Sequence, residues 1–151
     1  MLLRMSRMNR SMRRQNDPPP SPVAPKRSGI LRGLFALRHS YDGFLTTLRE
    51  ESAFRQETAL AAVLMPFALL LPVTPVERVL LISSLLLVLL VELLNSSIEA
   101  AIDRISLERH ELSKRAKDCG SAAVTLSLLI CATVWLLLAG PVVVRLAEAY
   151  L

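Results

Sequence analysis

Two glutamates, Glu92 and Glu99, stand seven residues apart in the most apolar region of the chain, with Asn95 and Ser96 between them and Asp103 four residues beyond. At about 100° per residue in a helix, all five side chains fall within roughly a third of the circumference, so one polar stripe runs down an otherwise greasy helix. A carboxylate ionised in hydrocarbon costs at least ~2.5 kcal/mol, so Glu92 must face protein or a water-filled cleft, or be protonated. Two carboxylates on one face, ~10 Å apart along the axis, can divide the work of a reaction: one accepts a proton and the other holds a divalent cation. The competing explanation is helix-to-helix hydrogen bonding, which accounts for Asn95, Ser96 or Asp103 singly but poorly for both glutamates together.

A cation needs more than one carboxylate. Glu50 and Glu51 stand at the start of the preceding apolar stretch, and Glu57 follows six residues after Glu51. That spacing turns Glu57 about 240° away from Glu51 on one straight helix, so the two have different roles, and Glu57 beside Arg55 could be an internal neutralising pair. On the polar segment after the stripe, Glu108-Arg109-His110-Glu111 and Lys114-Arg115-Ala116-Lys117-Asp118 form a dense cluster. Lys117 abuts the next apolar run, where an ammonium reaches a phosphate lying near Glu99. No GxxxxGK[ST] segment, GxGxxG or HRD and DFG set is present, so any nucleotide site differs from the standard phosphate loops.

The elements that must position these groups follow from hydropathy. At 151 residues, 52% hydrophobic, with mean hydropathy +0.44, the chain is too apolar for a soluble domain of its length. An all-α membrane protein is expected, with an amphipathic interfacial helix over 29–49 and spans over 53–73, 76–102 and 120–140. Residues 1–28 read as a disordered basic tail rich in proline and arginine, with no apolar core of a Sec or twin-arginine signal. The chain carries net charge +5, and ten of its 18 Lys and Arg precede Glu50, which points to anionic lipid and not to nucleic acid. The turn from Pro72 to Glu77 has no Lys or Arg, whereas the segment from Asp103 to Asp118 is basic. The N-terminus and that segment are therefore expected in the cytoplasm and the C-terminus outside. Cys119 and Cys131 lack metal or disulfide spacing and read as small packing residues.

Three motifs, Glu51-Ser-Ala-Phe-Arg-Gln-Glu57, Val91-Glu-Leu-Leu-Asn-Ser-Ser-Ile-Glu-Ala100 with Asp103-Arg104, and His110-Glu-Leu-Ser with Arg115-Ala-Lys-Asp118, together resemble the prokaryotic diacylglycerol kinase family. The likeness covers about residues 28 to 140 and is closer to the Gram-negative branch than to the undecaprenol kinases of Gram-positive bacteria. It implies a homotrimeric bundle in the cell inner membrane, with composite sites between subunits that take ATP from the cytoplasm and diacylglycerol from the bilayer. It implies Glu92 as general base, Glu51 and Glu99 as ligands of Mg2+, and Asn95, Lys117 and Asp118 as groups that orient or neutralise phosphates. Arg32, His39, Glu108, Arg109 and His110 would line the nucleotide side. Arg32, Ser40, Asn95 and Ser121 would meet the lipid substrate. Two positions depart from the family pattern: His39 stands where tyrosine is frequent, and Lys114 where a glycine commonly precedes Arg-Ala-Lys-Asp.

Three activities therefore compete: transfer of phosphate to diacylglycerol, transfer to undecaprenol or another membrane alcohol, and proton-coupled transport with Glu92 as the titrating carboxylate.

Overall fold

The computed structural model describes residues 30–106 and 108–150, which form five helices: α1 Ile30–Glu50, α2 Ser52–Leu70, α3 Pro75–Ile105, α4 Glu111–Leu138 and α5 Gly140–Tyr150. No strand occurs among the described residues. The chain divides into two units after Leu37; the first contributes only the opening turns of α1, and all that follows concerns the second, from Arg38 onward. The expected tail, 1–28, lies outside the described residues.

Proline and threonine set the turn between α2 and α3. A residue preceding proline is pushed out of the helical region, and Leu71, before Pro72, adopts φ −58° and ψ 138°, ending α2. Pro75 then occupies the first turn of α3, where its missing N–H costs nothing. Thr74 caps that helix: its hydroxyl accepts from the Glu77 N–H at 3.3 Å, and a Glu77 carboxylate oxygen accepts from the Thr74 N–H at 2.7 Å. Thr74→Ala is expected to lower stability by about 1 kcal/mol, seen as an earlier midpoint in detergent unfolding. An unchanged midpoint would show that this cap is dispensable.

Three helical segments are long and apolar enough to cross a membrane: α2 with 19 residues, α3 with 31, and a run of 39 residues formed by α4 and most of α5. An all-helical membrane protein results, since helices satisfy their own backbone groups in lipid. At ~1.5 Å per residue α3 is roughly 46 Å long and overshoots a hydrocarbon layer of about 30 Å. Its last turns, with Asp103, therefore stand in the headgroup region or in water. The polar sequence Glu111–Gly120 is likewise helical, so the link between the long helices shrinks to residues 106–110.

The middle helix organises the fold. Helix α3 packs against both α2 and α4, while no Cα atoms of α2 and α4 lie within 8 Å of each other among the described residues. Correspondingly, 39% of the most apolar window of α3 is buried, against 17% for α2 and 11% for the α4–α5 segment. The core cluster of Ala68, Leu71, Leu81, Ala139 and Val142, with Trp135 against it, closes the end nearest the Pro72–Pro75 turn. Toward the other end Phe54 is wholly buried, its ring meeting that of Phe44 edge-to-face at 5.1 Å, which ties α1 to the start of α2. Leu70, Leu136 and Leu137 are left open, as lipid or further subunits allow.

Candidate active site

Leu81, Leu85, Val88 and Glu92 recur at intervals of four, three and four residues and are all buried, so Glu92 sits on the packed face of α3. Only 4% of it is exposed. Counted from Pro75, it is about 26 Å along the helix, inside the far edge of the hydrocarbon, and Glu99 is another ~10 Å on.

Because α2 and α3 form an antiparallel hairpin, the start of α2 returns to this level. Glu51 lies at the break between α1 and α2, with φ −98° and ψ 119°, and its side chain makes no capping hydrogen bond. The charges of Glu99 and Glu51 both act on Glu92, and that of Glu92 acts on Glu57. Four carboxylates from two helices thus share one electrostatic neighbourhood. Arg55 does not relieve it, since its Nη1 donates to the Arg49 carbonyl at 2.8 Å instead of pairing with Glu57. One Glu57 oxygen is buried without a hydrogen-bond partner, as are the Thr58 hydroxyl and the Ser96 hydroxyl.

Asn95 joins the stripe together, its Nδ2 donating to Glu99 Oε1 at 3.1 Å. Its Oδ1 is buried and accepts no bond, and it abuts Gly120 of α4. A second link between these helices is the ion pair of Lys117 Nζ with Asp103 Oδ1 at 2.7 Å. Glu99 acts electrostatically on the same ammonium. Asp118 pairs with Lys114 at 2.7 Å along α4.

Beyond the stripe a cleft of about 760 Å³, lined mostly by charged and polar residues, opens between the end of α3 and the start of α4. Of the residues expected on the nucleotide side it gathers Glu108, Arg109, His110, Lys117 and Asp118, and it adds Asp103 and Lys114. His110 also caps α4, its Nδ1 accepting from the Leu112 N–H at 3.2 Å, so the ring is held at the cleft wall. His39 and Ser40 are exposed on α1 and do not line this cleft; Arg32 belongs to the same helix. Ser121 is exposed on α4. Glu51, Glu92, Asn95 and Glu99 lie outside the cleft lining, and Lys117 connects the two groups.

Gly120 and Asp103 are additions to the set of residues singled out for a role in binding. Gly120 follows directly on the Lys117-Asp118 cluster and is the sole glycine of α4, a signal that could have marked a close approach of helices.

Among the described residues no three His, Cys, Asp or Glu side chains converge as a metal site. Magnesium does not require one, because it keeps several waters and commonly takes one or two carboxylates plus substrate phosphates. Glu51 and Glu99, both half-buried and both acting on Glu92, suit that donor set.

Comparison with known proteins identifies the family of the chain. Residues 38–139 match the family model for prokaryotic diacylglycerol kinase. A diacylglycerol kinase of Pseudomonas aeruginosa is 52% identical over 116 residues, covering 77% of this chain and 94% of the relative. Those of Haemophilus influenzae and Escherichia coli K12 are 46% and 44% identical, covering 73% and 77% of this chain and 93% and 95% of theirs. A match through all three long helices, the carboxylate stripe and the Lys117 cluster, at this identity, places the chain in the prokaryotic diacylglycerol kinase family of integral-membrane enzymes.

Proposed function

We propose that this chain transfers the γ-phosphoryl group of ATP to the free hydroxyl of diacylglycerol, forming phosphatidic acid at the cytoplasmic face of the inner membrane. The observation that carries the reading is a buried carboxylate, Glu92, on the same helix whose far end lines the cleft of charged and polar residues. One helix then serves a lipid substrate from the bilayer and a nucleotide from water.

Glu92 accepts the proton of the lipid hydroxyl as the new oxygen–phosphorus bond forms and ADP departs. Burial keeps bulk water away from the phosphoryl group and so disfavours hydrolysis. Lys117 and Arg109 offset phosphate charge from the cleft side, and Asp118 and His110 order its wall. Asn95 fixes Glu99 by its hydrogen bond, and Glu99 with Glu51 would hold Mg2+. When bound with ATP, that ion supplies charge neutralisation at the transferred group. Arg32, His39, Ser40 and Ser121 complete the lipid and nucleotide surroundings.

Since the backbones of α2 and α4 stay apart and the cleft takes nothing from α1, neighbouring copies are the natural source of the remaining walls, which supports a homotrimer. Helix α1, amphipathic and basic, lies in the headgroup plane. The basic segment from Asp103 to Asp118 favours an N-terminus inside and a C-terminus in the periplasm.

Purified protein in mixed micelles with labelled MgATP should transfer label to diacylglycerol, tested beside undecaprenol. Label in undecaprenol alone would replace the acceptor. No label in either, with ATP-independent ion-coupled uptake into proteoliposomes, would overturn the kinase reading in favour of transport.

A further inference from the structure

Gly120 is buried on α4 against Asn95. A Cβ built there would collide with the Asn95 amide oxygen and lie 3.3 Å from its Cγ, whereas the backbone Cα of Asn95 is a comfortable 3.9 Å away. Gly33, Gly43 and Gly140 face nothing within 4 Å, so among the described glycines the need for an absent side chain is particular to Gly120. Glycine is a poor helix former, and its place inside α4 calls for an offsetting gain. Small residues supply one in membranes by letting helices approach closely.

What the approach holds is the amide. Nδ2 donates to Glu99, and Oδ1 rests against Gly120 with no hydrogen bond of its own, so contact with α4 limits where the amide can turn. A methyl at 120 meets the tip of a rotatable side chain and not the backbone. The cheapest relief is therefore rotation of Asn95 to another rotamer, which carries Nδ2 away from Glu99 while the helices stay paired.

We infer that Gly120 is a positioning residue: by having no side chain it holds the Asn95 amide on Glu99, and through that bond it governs phosphoryl transfer. The activity arm of this inference rests on the kinase reading above; the contact itself does not.

The test is a double-mutant cycle of Gly120→Ala and Asn95→Ala, with rates and thermal midpoints measured in mixed micelles. Gly120→Ala should lower kcat by about tenfold or more, as a displaced active-site group does, with KM for diacylglycerol unchanged. Any fall in midpoint that it causes should vanish in the Asn95→Ala background, where the collision partner is gone. The double variant should be no slower than Asn95→Ala alone. Wild-type kcat in Gly120→Ala would overturn the inference, as would the same midpoint shift in both backgrounds. Should Gly120→Ala not fold, recovery of folding in the double variant supports the contact, and failure of both overturns it. If wild-type protein labels no lipid, the kinase reading fails while the midpoints still decide the contact.

Discussion

Glu92→Gln is expected to reduce transfer of label to diacylglycerol by two to four orders of magnitude, roughly the contribution of a general base. Glutamine matches glutamate in shape, so the buried site keeps its packing, but the amide cannot take a proton from the lipid hydroxyl. It also removes a negative charge from beside Glu51, Glu57 and Glu99, a change that relieves repulsion. The variant should consequently fold and assemble at least as well as wild type, with an unchanged or higher thermal midpoint. That pairing of lost turnover with retained stability separates chemistry from misfolding. KM for MgATP should stay near the wild-type value, because Glu92 does not line the cleft. More than about a tenth of wild-type kcat in Glu92→Gln would remove this carboxylate from the base role and reassign it to packing.

The apolar helices and the carboxylate stripe were legible in the sequence for one physical reason: a 3.6-residue period in hydrocarbon shows both where a helix lies and which residues break its apolar face. Leu81, Leu85, Val88 and Glu92 share a buried side because their spacing demands it. What hydropathy obscured was helix beyond the membrane. The segment Glu111–Gly120 is too polar to register as a span, but its backbone continues the helix, supported at its start by the His110 cap. Pairings between helices were also illegible. Lys117 reads from its position as a phosphate-seeking ammonium, and its partner Asp103 is set by how α3 and α4 align, which no local pattern records. Arg55 is the converse case: it stands two residues from Glu57, yet the bend at Glu51 brings the Arg49 carbonyl nearer. Gly120, the sole glycine of α4, hints at a close approach, but that Asn95 is what it approaches is set by how α3 and α4 align.

Glu99→Gln tests the cation side and should fail differently from Glu92→Gln. The amide oxygen of glutamine can still accept from Asn95 Nδ2, so the 3.1 Å bond and the local rotamers survive. What is lost is one of the two anionic donors proposed for Mg2+ and one negative charge acting on Lys117. Even outer-sphere partners of metals typically govern affinity by 10–100-fold, and a direct donor contributes at least as much, so the magnesium concentration for half-maximal rate should rise by about tenfold or more. Turnover should fall along with it, because the charge that offsets the transferred phosphoryl group is held less firmly. Raising magnesium should restore part of the rate, a rescue that Glu92→Gln cannot show. Titration of protein and ATP with Mn2+, followed by its paramagnetic resonance signal, gives the same comparison without turnover: weaker binding in Glu99→Gln and in Glu51→Gln, unchanged binding in Glu92→Gln. Were Glu99→Gln to keep wild-type magnesium dependence and Mn2+ affinity, the stripe would hold a proton acceptor and a hydrogen-bonded brace for Asn95, and the cation would have to be assigned elsewhere in the assembled protein.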